Sequence, residues 1–170
     1  MPKTKKQETG DIGEKIAGRF LVSKGFEIVG WNYRKPWGEI DIIVRKKEKI
    51  HFIEVKTVNL WGPSFFVSRE TGYGYLKKCQ VFIADKISQP EKAYDLHEIS
   101  NEERGGLTDE YRPEDNLHPW KLKRLKRAIQ SYLAEKRMSE EDDWQFDAVT
   151  VRLYEKEKVA EIEYLEDIIL

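Results

Sequence analysis

The chain is poor in cysteine, has no long apolar run and carries almost no net charge. Its single cysteine, Cys79, excludes an internal disulfide framework and suits a reducing cytosol. No stretch approaches the length of a membrane span, so no membrane partner is expected. The opening segment MPKTKKQETG is charged but has no apolar region behind it, and no signal peptide is predicted. We therefore expect a cytoplasmic protein.

The overall charge gives no direct indication of the partner. The formal net charge is −1, so an argument for nucleic-acid binding must rest on where the charges lie. Hydrophobic residues make up 39% of the 170 residues, and five Trp, seven Phe and eight Tyr are enough for a folded core. This length predicts one domain spanning 1–170.

Two segments rich in β-branched residues, 39–45 and 50–58, predict a β-hairpin. If Lys47 and Glu48 form its loop, Lys46 faces Lys49. The alternation of side chains along each strand then determines which residues lie on each face of the hairpin. One face then carries three cross-strand pairs, Ile43–Phe52, Asp41–Glu54 and Glu39–Lys56. The other face is predicted to be apolar and buried, and it carries Ile40, Ile42, Ile53 and Val55.

In this register two carboxylates, Asp41 and Glu54, lie opposite each other. Like charges across an antiparallel pair are destabilising, so the arrangement calls for a compensating positive charge. One interpretation is that a nearby lysine, such as Lys56, neutralises them. The other is that a divalent cation lies between them.

The residue types favour a hard cation. Mg²⁺ is commonly held by one or two carboxylates together with substrate phosphate, and Asp41 and Glu54 could supply them beside the backbone carbonyl of Val55. Lys56 could then orient the attacking water or stabilise developing negative charge. The cluster has no cysteine, and His51 is predicted on the opposite face, which argues against zinc.

The ordered motifs resemble a known family. The segments Gly38-Glu39-Ile40-Asp41-Ile42-Ile43 and Phe52-Ile53-Glu54-Val55-Lys56 resemble the core of the PD-(D/E)xK nuclease superfamily. More narrowly, they resemble the YraN-like family of predicted bacterial endonucleases, distantly related to archaeal Holliday junction resolvases. The N-terminal run Gly10-x-x-Gly13-Glu14-x-x-Ala17, the Asn32-x-Arg34 motif and Phe146-Asp147-Ala148-Val149 match that family too. The resemblance covers about residues 8–58 and 119–168.

The resemblance implies roles for individual residues. Asp41, Glu54 and Lys56 match the metal-binding and catalytic triad, and Glu14 matches an acidic residue that often completes the metal site. The alternative for Glu14 is a favourable charge in the first turn of its helix. For Glu39, an outer metal ligand and an ion-pair partner of Lys56 are equally good interpretations.

The implied fold is α/β, with a restriction-endonuclease-like mixed sheet flanked by helices in the core order α-β-β-β-α-β. The first helix is predicted to end at Gly25, and a long helix over 119–137 begins with proline. Strands are predicted over 145–154 and 159–165. Residues 60–118 form an inserted, mostly irregular segment with a strand at Gln80–Ile83, and it could be a lid over the site or a packed subdomain.

The helix over 119–137 carries a run of cations. Lys121 matches a lysine of the family and is expected at the edge of the site. We predict phosphate contacts for Lys123, Arg124 and Arg127, and more weakly for Arg34. A solvated helix face is the alternative.

The sequence therefore predicts a nuclease that uses Mg²⁺ or Mn²⁺ to hydrolyse DNA phosphodiester bonds. Structure selectivity in repair or recombination is an extension of that prediction, and RNA stays open as a substrate. Resolvase-like relatives often form homodimers, which is an analogy only, and the oligomeric state stays open. The alternative function is a nucleic-acid-binding scaffold with a vestigial nuclease site.

Overall fold

A computed structural model describes residues 2, 4–59, 79–85, 96–98, 119–139, 141–154 and 159–168. Its elements are α1 (Lys5–Ser23), β1 (Glu27–Lys35), β2 (Gly38–Lys46), β3 (Lys49–Asn59), β4 (Cys79–Asp85), β5 (Leu96–Glu98), α2 (Pro119–Glu135), β6 (Trp144–Tyr154) and β7 (Val159–Leu165). In the described residues the strands form one mixed sheet in the order β1-β2-β3-β6-β7-β4-β5. The predicted restriction-endonuclease-like α/β fold, with its core order α-β-β-β-α-β, is confirmed.

The two helices cover opposite faces of the sheet. Strand β6 runs parallel to β3 because α2 forms the crossover between them, whereas the other neighbouring strands pair antiparallel. On the α1 side, Phe20 and Leu21 pack with apolar residues of β2, β3, β6 and β7. On the α2 side, Leu125 and Ile129 pack with Phe52 and Phe146. Because the helices cover both faces of the sheet, the ends of the central strands are where a polar site can form.

Helix α1 has clear start and stop signals. The Thr4 side chain accepts a hydrogen bond from Gln7 N, and the Gln7 side chain accepts one from Thr4 N, which together form a capping box. Gly25, at φ 81°, terminates the helix in the left-handed conformation that glycine adopts without steric cost. The predicted helix end at Gly25 is confirmed.

The β2–β3 hairpin has the predicted register from its loop as far as Ile42–Ile53, and the predicted pairs Asp41–Glu54 and Glu39–Lys56 lie beyond the described pairing. Lys46 pairs with Lys49, Ile43 with Phe52 and Ile42 with Ile53, so Lys47 and Glu48 form the loop. Lys47 adopts φ 56°, which supplies the turn geometry that a glycine usually provides. His51 lies on the side opposite Phe52, as predicted, and packs edge-on against Phe26.

The predicted apolar face was wrong at Ile40. Ile42 and Ile53 belong to the α1-side core, but Ile40 packs with Ile43 in the α2-side core. The cause lies in the neighbouring strand, where Asn32 has φ 49° between the pairs Trp31–Ile42 and Tyr33–Ile40. A left-handed residue breaks the two-residue alternation of a strand, and the paired strand β2 changes face at Asp41.

Within segment 60–118, the structure describes two strands, β4 and β5. The predicted strand Gln80–Ile83 lies within β4, which pairs with β7, and β5 extends the sheet beyond it. The other parts of segment 60–118, including its aromatic residues and the predicted lid, lie outside the described residues. The single-domain assignment stays a prediction. In the described ranges, no helix is both long and apolar enough to cross a membrane.

A fully buried carboxylate joins the later strands to the hairpin. Asp147 of β6 is 0% exposed. Four donors surround its oxygens: His51 Nδ1 at 2.7 Å, Gln145 Nε2 at 2.7 Å, Tyr164 Oη at 2.8 Å and the Asp167 backbone amide at 2.9 Å. Burial beside this carboxylate raises the pKa of the Tyr164 hydroxyl well above its usual value, so it stays a donor. The motif residue Asp147 is therefore a structural hub for β3, β6, β7 and the segment after β7.

Replacing Asp147 with alanine should leave these buried donors without an acceptor. We expect Asp147→Ala to lower the free energy of unfolding by about 3 kcal/mol, measured by urea denaturation. Tyr164→Phe removes one donor and leaves the carboxylate bonded, so its loss should be about 1 kcal/mol. Equal losses for the two variants would contradict the assignment of Asp147 as the hub.

Candidate active site

Asp41 joins β2 to β3 at the point where the backbone pairing of the hairpin ends. The described pairing stops at Ile42–Ile53, and beyond it Asp41 Oδ2 accepts a hydrogen bond from Val55 N at 2.8 Å. The carboxylate is partly buried, and its position is fixed by a backbone donor. Its second oxygen stays available to another ligand.

Glu54 lies on the α2 side of β3, one residue before Val55, and is only 3% exposed. The Nζ of Lys121, in the first turn of α2, donates a hydrogen bond to Glu54 Oε1. Lys121 itself is partly exposed. The prediction placed Lys121 at the edge of the site, and the structure places it in direct contact with a triad carboxylate.

Burial and mutual repulsion act on both carboxylates. Burial has the largest effect on the pKa of Asp41, and the negative charge of Glu54 adds to it. Together they raise the pKa of Asp41 to about 8, although the hydrogen bond from the Val55 amide lowers it. Burial also raises the pKa of Glu54, and the ammonium of Lys121 offsets only part of that shift. The two groups titrate as an interacting pair. Their environment disfavours two negative charges unless a cation is near.

Glu14 approaches the pair from α1. Its neighbour Gly13 lets the helix lie directly on β3, since a Cβ there would be 1.8 Å from Thr57 Oγ1. Asn32 Nδ2 donates to Glu14 Oε2 at 2.8 Å, which holds the carboxylate over the break in β1. The charge of Glu14 contributes to the raised pKa of Asp41, so α1, β2 and β3 meet at one site.

Lys56 follows Glu54 on the same side of β3 and is half-buried. In the described residues it makes no hydrogen bond, unlike Lys121. Burial lowers its pKa, and the nearby charge of Lys121 lowers it further, while Glu54 and Asp41 act in the opposite direction. The amine is thus close to both carboxylates without being bound by either.

The donor set fits a hard divalent cation. Asp41 and Glu54 are oxygen donors whose negative charges are incompletely compensated, and Mg²⁺ takes one or two protein carboxylates and completes its shell with water or phosphate. In the described ranges, no three His, Cys, Asp or Glu side chains converge closely enough to form a metal site by themselves. The Glu14 and Val55 carbonyl ligands therefore stay predictions, since the structure shows Val55 contacting Asp41 through its amide.

The other predicted phosphate contacts lie along the exposed side of α2. Lys123, Arg124 and Arg127 are all exposed. Arg124 Nε donates to the Trp37 carbonyl oxygen at 2.9 Å, and the Arg127 guanidinium lies 4.8 Å from the centre of the Trp37 ring. Lys121 is their neighbour in the site. The basic residues thus form one surface that leads to the carboxylates.

Arg34 and Glu39 pair with each other on the surface. Arg34 Nε lies 3.3 Å from Glu39 Oε2, and a guanidinium nitrogen of Arg34 donates to Asn32 Oδ1 at 2.9 Å. Glu39 is therefore not the ion-pair partner of Lys56. Sequence reasoning noted the Asn32-x-Arg34 motif but missed its role. The motif itself was the signal in the sequence, but a motif does not reveal that Asn32 has a positive φ.

These elements form a restriction-endonuclease-like fold with an acidic and lysine-containing site at the end of its central hairpin. The family profile described as "Uncharacterised protein family UPF0102" matches residues 13–99, and the chain belongs to this family. The match includes Glu14, Asn32, Asp41, Glu54 and Lys56, and it ends before α2.

Three relatives illustrate the similarity, and each is named only as a UPF0102 protein. The one from Caldanaerobacter subterraneus subsp. tengcongensis is 38% identical over 103 residues, which are 58% of this chain and 84% of the relative. The one from Caldicellulosiruptor bescii is 35% identical over 107 residues, 60% of this chain and 90% of the relative. The one from Clostridioides difficile is 51% identical over 51 residues, 30% of this chain and 45% of the relative.

The raised pKa of Asp41 predicts a specific pH dependence of stability in metal-free buffer. The pKa is 3.8 for an unperturbed carboxyl and about 8 in the folded protein. The folded state therefore holds more protons than the unfolded state between these values, so the free energy of unfolding should fall as pH rises through that range. Asp41→Asn keeps an acceptor for the Val55 amide and removes the charge, so its profile should be flatter.

Urea denaturation of both proteins in EDTA, at about pH 5 and about pH 8, measures this difference. The variant should be more stable than the wild type at the higher pH. Glu48→Gln, in the exposed hairpin loop, is the control and should follow the wild type. Parallel profiles for Asp41→Asn and the wild type would contradict the proposed charge repulsion.

Proposed function

We propose that this protein is a metal-dependent nuclease that hydrolyses DNA phosphodiester bonds. The observation that carries the proposal is the pair of interacting carboxylates, Asp41 and Glu54, held beside Lys56 on the central hairpin of a restriction-endonuclease-like fold. Burying two like charges together has no structural benefit, because an apolar pair in this place would pack without repulsion. A reaction that requires a bound cation would explain why the two carboxylates lie together.

Each residue has a role in this proposal. Asp41 and Glu54 would hold Mg²⁺ or Mn²⁺, with Glu14 and the Val55 carbonyl as further donors. When bound, the metal supplies Lewis-acid polarisation of the phosphate and a more acidic water. Lys56 orients the attacking water and stabilises the negative charge that develops on the phosphoryl oxygens. Asn32 keeps Glu14 turned towards the pair.

Lys121 changes partner in this scheme. In the structure its ammonium compensates Glu54. A divalent cation held by the carboxylates would supply that compensation instead, and Lys121 would then be available to contact a substrate phosphate at the start of the basic α2 surface. The family and the single cysteine are compatible with a cytoplasmic enzyme of DNA repair or recombination.

The Lys121–Glu54 ion pair also supports the second candidate. A scaffold that binds nucleic acid through α2 could use Lys121 as a permanent counter-ion for a vestigial site. The two candidates differ in what a divalent cation does. The nuclease needs the metal for cleavage, whereas the scaffold binds nucleic acid equally well without it.

Cleavage assays test the proposal directly. Labelled single-stranded, duplex, flapped and four-way-junction DNA is incubated with the wild type in Mg²⁺, Mn²⁺ or EDTA. We expect cleavage only with metal, and losses of about 100-fold or more in Glu54→Gln and Lys56→Ala, because each removes a transition-state interaction. Glu48→Gln should cleave like the wild type.

Metal binding gives a second readout. Mg²⁺ should raise the thermal midpoint of the wild type, because a ligand that binds the folded state stabilises it, and should not raise that of Glu54→Gln. Binding of DNA without cleavage in either metal, together with no metal-dependent shift, would replace the nuclease with the scaffold.

The basic α2 surface makes its own prediction. Lys123→Glu with Arg127→Glu should weaken DNA binding at every sequence and reduce the slope of log affinity against log salt by about 2, since two phosphate contacts are lost. Fluorescence anisotropy in EDTA at several salt concentrations measures both effects.

A matched charge reversal gives the control for this experiment. Lys15→Glu with Lys47→Glu changes the net charge equally, but on exposed positions of α1 and of the hairpin loop. Its salt slope should stay near that of the wild type. If both double variants reduce the slope equally, the effect belongs to the net charge and not to the α2 surface.

A further inference from the structure

A pocket of about 300 Å³ opens next to the carboxylates. It lies between the first turns of α2 and the turn that joins β1 to β2. Lys121 belongs both to this pocket and to the site, because it lines the pocket and its amine contacts Glu54. Five other residues are central to the pocket: Arg34, Gly38, Glu39, Trp120 and Arg124.

Close backbone packing builds the floor of the pocket. A Cβ on Gly38 would lie 2.4 Å from the Arg124 carbonyl oxygen, so only glycine lets β2 approach α2 this closely. The Trp37 carbonyl accepts a hydrogen bond from Arg124 Nε at 2.9 Å, which fixes the direction of the guanidinium. Among the described residues, the two terminal nitrogens of Arg124 have no acceptor, so their donors are open to a ligand.

Among the cations that line the pocket, Arg124 is the candidate for binding an anion. Arg34 is paired with Glu39, and Lys121 is paired with Glu54. Lys35, also at the rim, is paired with Glu135. In the part of the chain that the structure describes, Arg124 is the lining cation without a carboxylate partner. Its planar fork suits the oxygens of a phosphate.

Trp120 presents a large aromatic surface beside this guanidinium. Its side chain is 61% exposed, and the Arg124 Cζ lies 5.9 Å from its ring centre. The other tryptophans in the described ranges each have a contact in the fold: Trp31, 45% exposed, lies over Gly18; Trp37 donates to Ser131; and Trp144, 38% exposed, packs on Phe52. An indole left in water at the rim of a pocket is suited to binding another flat ring.

We propose that this pocket is a nucleotide subsite in which a base stacks on Trp120 and its phosphate binds Arg124. The inference rests on the proposed nuclease function and adds a substrate class, which is nucleic acid with an unpaired nucleotide next to the cleaved bond. A base within a duplex has both faces stacked on its neighbours. Only an unpaired or extruded base can offer a face to Trp120.

Binding in EDTA tests the subsite without requiring cleavage. The probes are fluorescein-labelled thymidine oligonucleotides of about 12 nucleotides, a blunt hairpin duplex, and the same duplex with a single-stranded thymidine tail. The wild type should bind the single strand and the tailed duplex more tightly than the blunt duplex. Trp120→Ala should weaken both of the former by about 5- to 50-fold and the blunt duplex by less than about twofold.

Two further variants separate stacking from apolar contact. Trp120→Phe keeps an aromatic face and should retain most of the affinity, whereas Trp120→Leu keeps apolar bulk and should behave like alanine. Because Trp120 is mostly exposed, all three variants should unfold like the wild type in a thermal melt. A ribothymidine oligonucleotide of equal length changes only the sugar and compares ribose with deoxyribose at the same subsite.

The outcomes separate the subsite from the function. Equal effects of Trp120→Ala on single strand and blunt duplex, or no effect on either, overturn the subsite, even if the wild type cleaves DNA with metal. A selective loss supports the subsite, even if no metal gives cleavage and the nuclease proposal fails. Wild-type binding that does not prefer unpaired nucleotides also overturns the subsite.

Discussion

The site depends on one hydrogen bond, from the Val55 amide to the Asp41 carboxylate. It joins β2 to β3 where the backbone pairing has ended, and it holds the acidic side chain at the open end of the hairpin. The face change that permits it begins at Asn32, whose positive φ breaks the alternation of β1. Asn32 also bonds Glu14. One local distortion therefore positions two carboxylates from different elements.

Around this bond the side chains of the protein compensate the carboxylate charges only in part. Burial and repulsion raise the pKa of both Asp41 and Glu54, and Lys121 compensates only one of them. A divalent cation would satisfy both carboxylates and would release Lys121 towards the pocket beside it. Metal binding and phosphate binding would then favour each other. The metal would offset the carboxylate charges that repel a phosphate, and the phosphate would offset the Lys121 charge that repels the metal.

Sequence patterns predicted the parts of the fold that depend on local rules. The β-branched segments and the polar loop were enough for the hairpin register, and proline and glycine marked the ends of helices. Ile40 was misassigned because the break in alternation comes from Asn32, in another strand. The Lys121–Glu54 contact brings together residues 67 positions apart, so spacing placed Lys121 only near the site. The pocket needs the close approach of Gly38 to α2, which no periodicity encodes.

The charge distribution of α2 connects the two proposed binding roles. Its first turn contains no acidic residue, although acidic side chains stabilise a helix N-terminus; Lys121 lies in that turn, and Lys123 and Arg124 follow in the next. A cation in the first turn opposes the helix dipole, at a cost of about 0.3–1 kcal/mol. An anion that binds there would remove the opposition and gain from both the dipole and the side chains. The start of helix α2 is therefore electrostatically suited to the phosphate contacts that we propose for it.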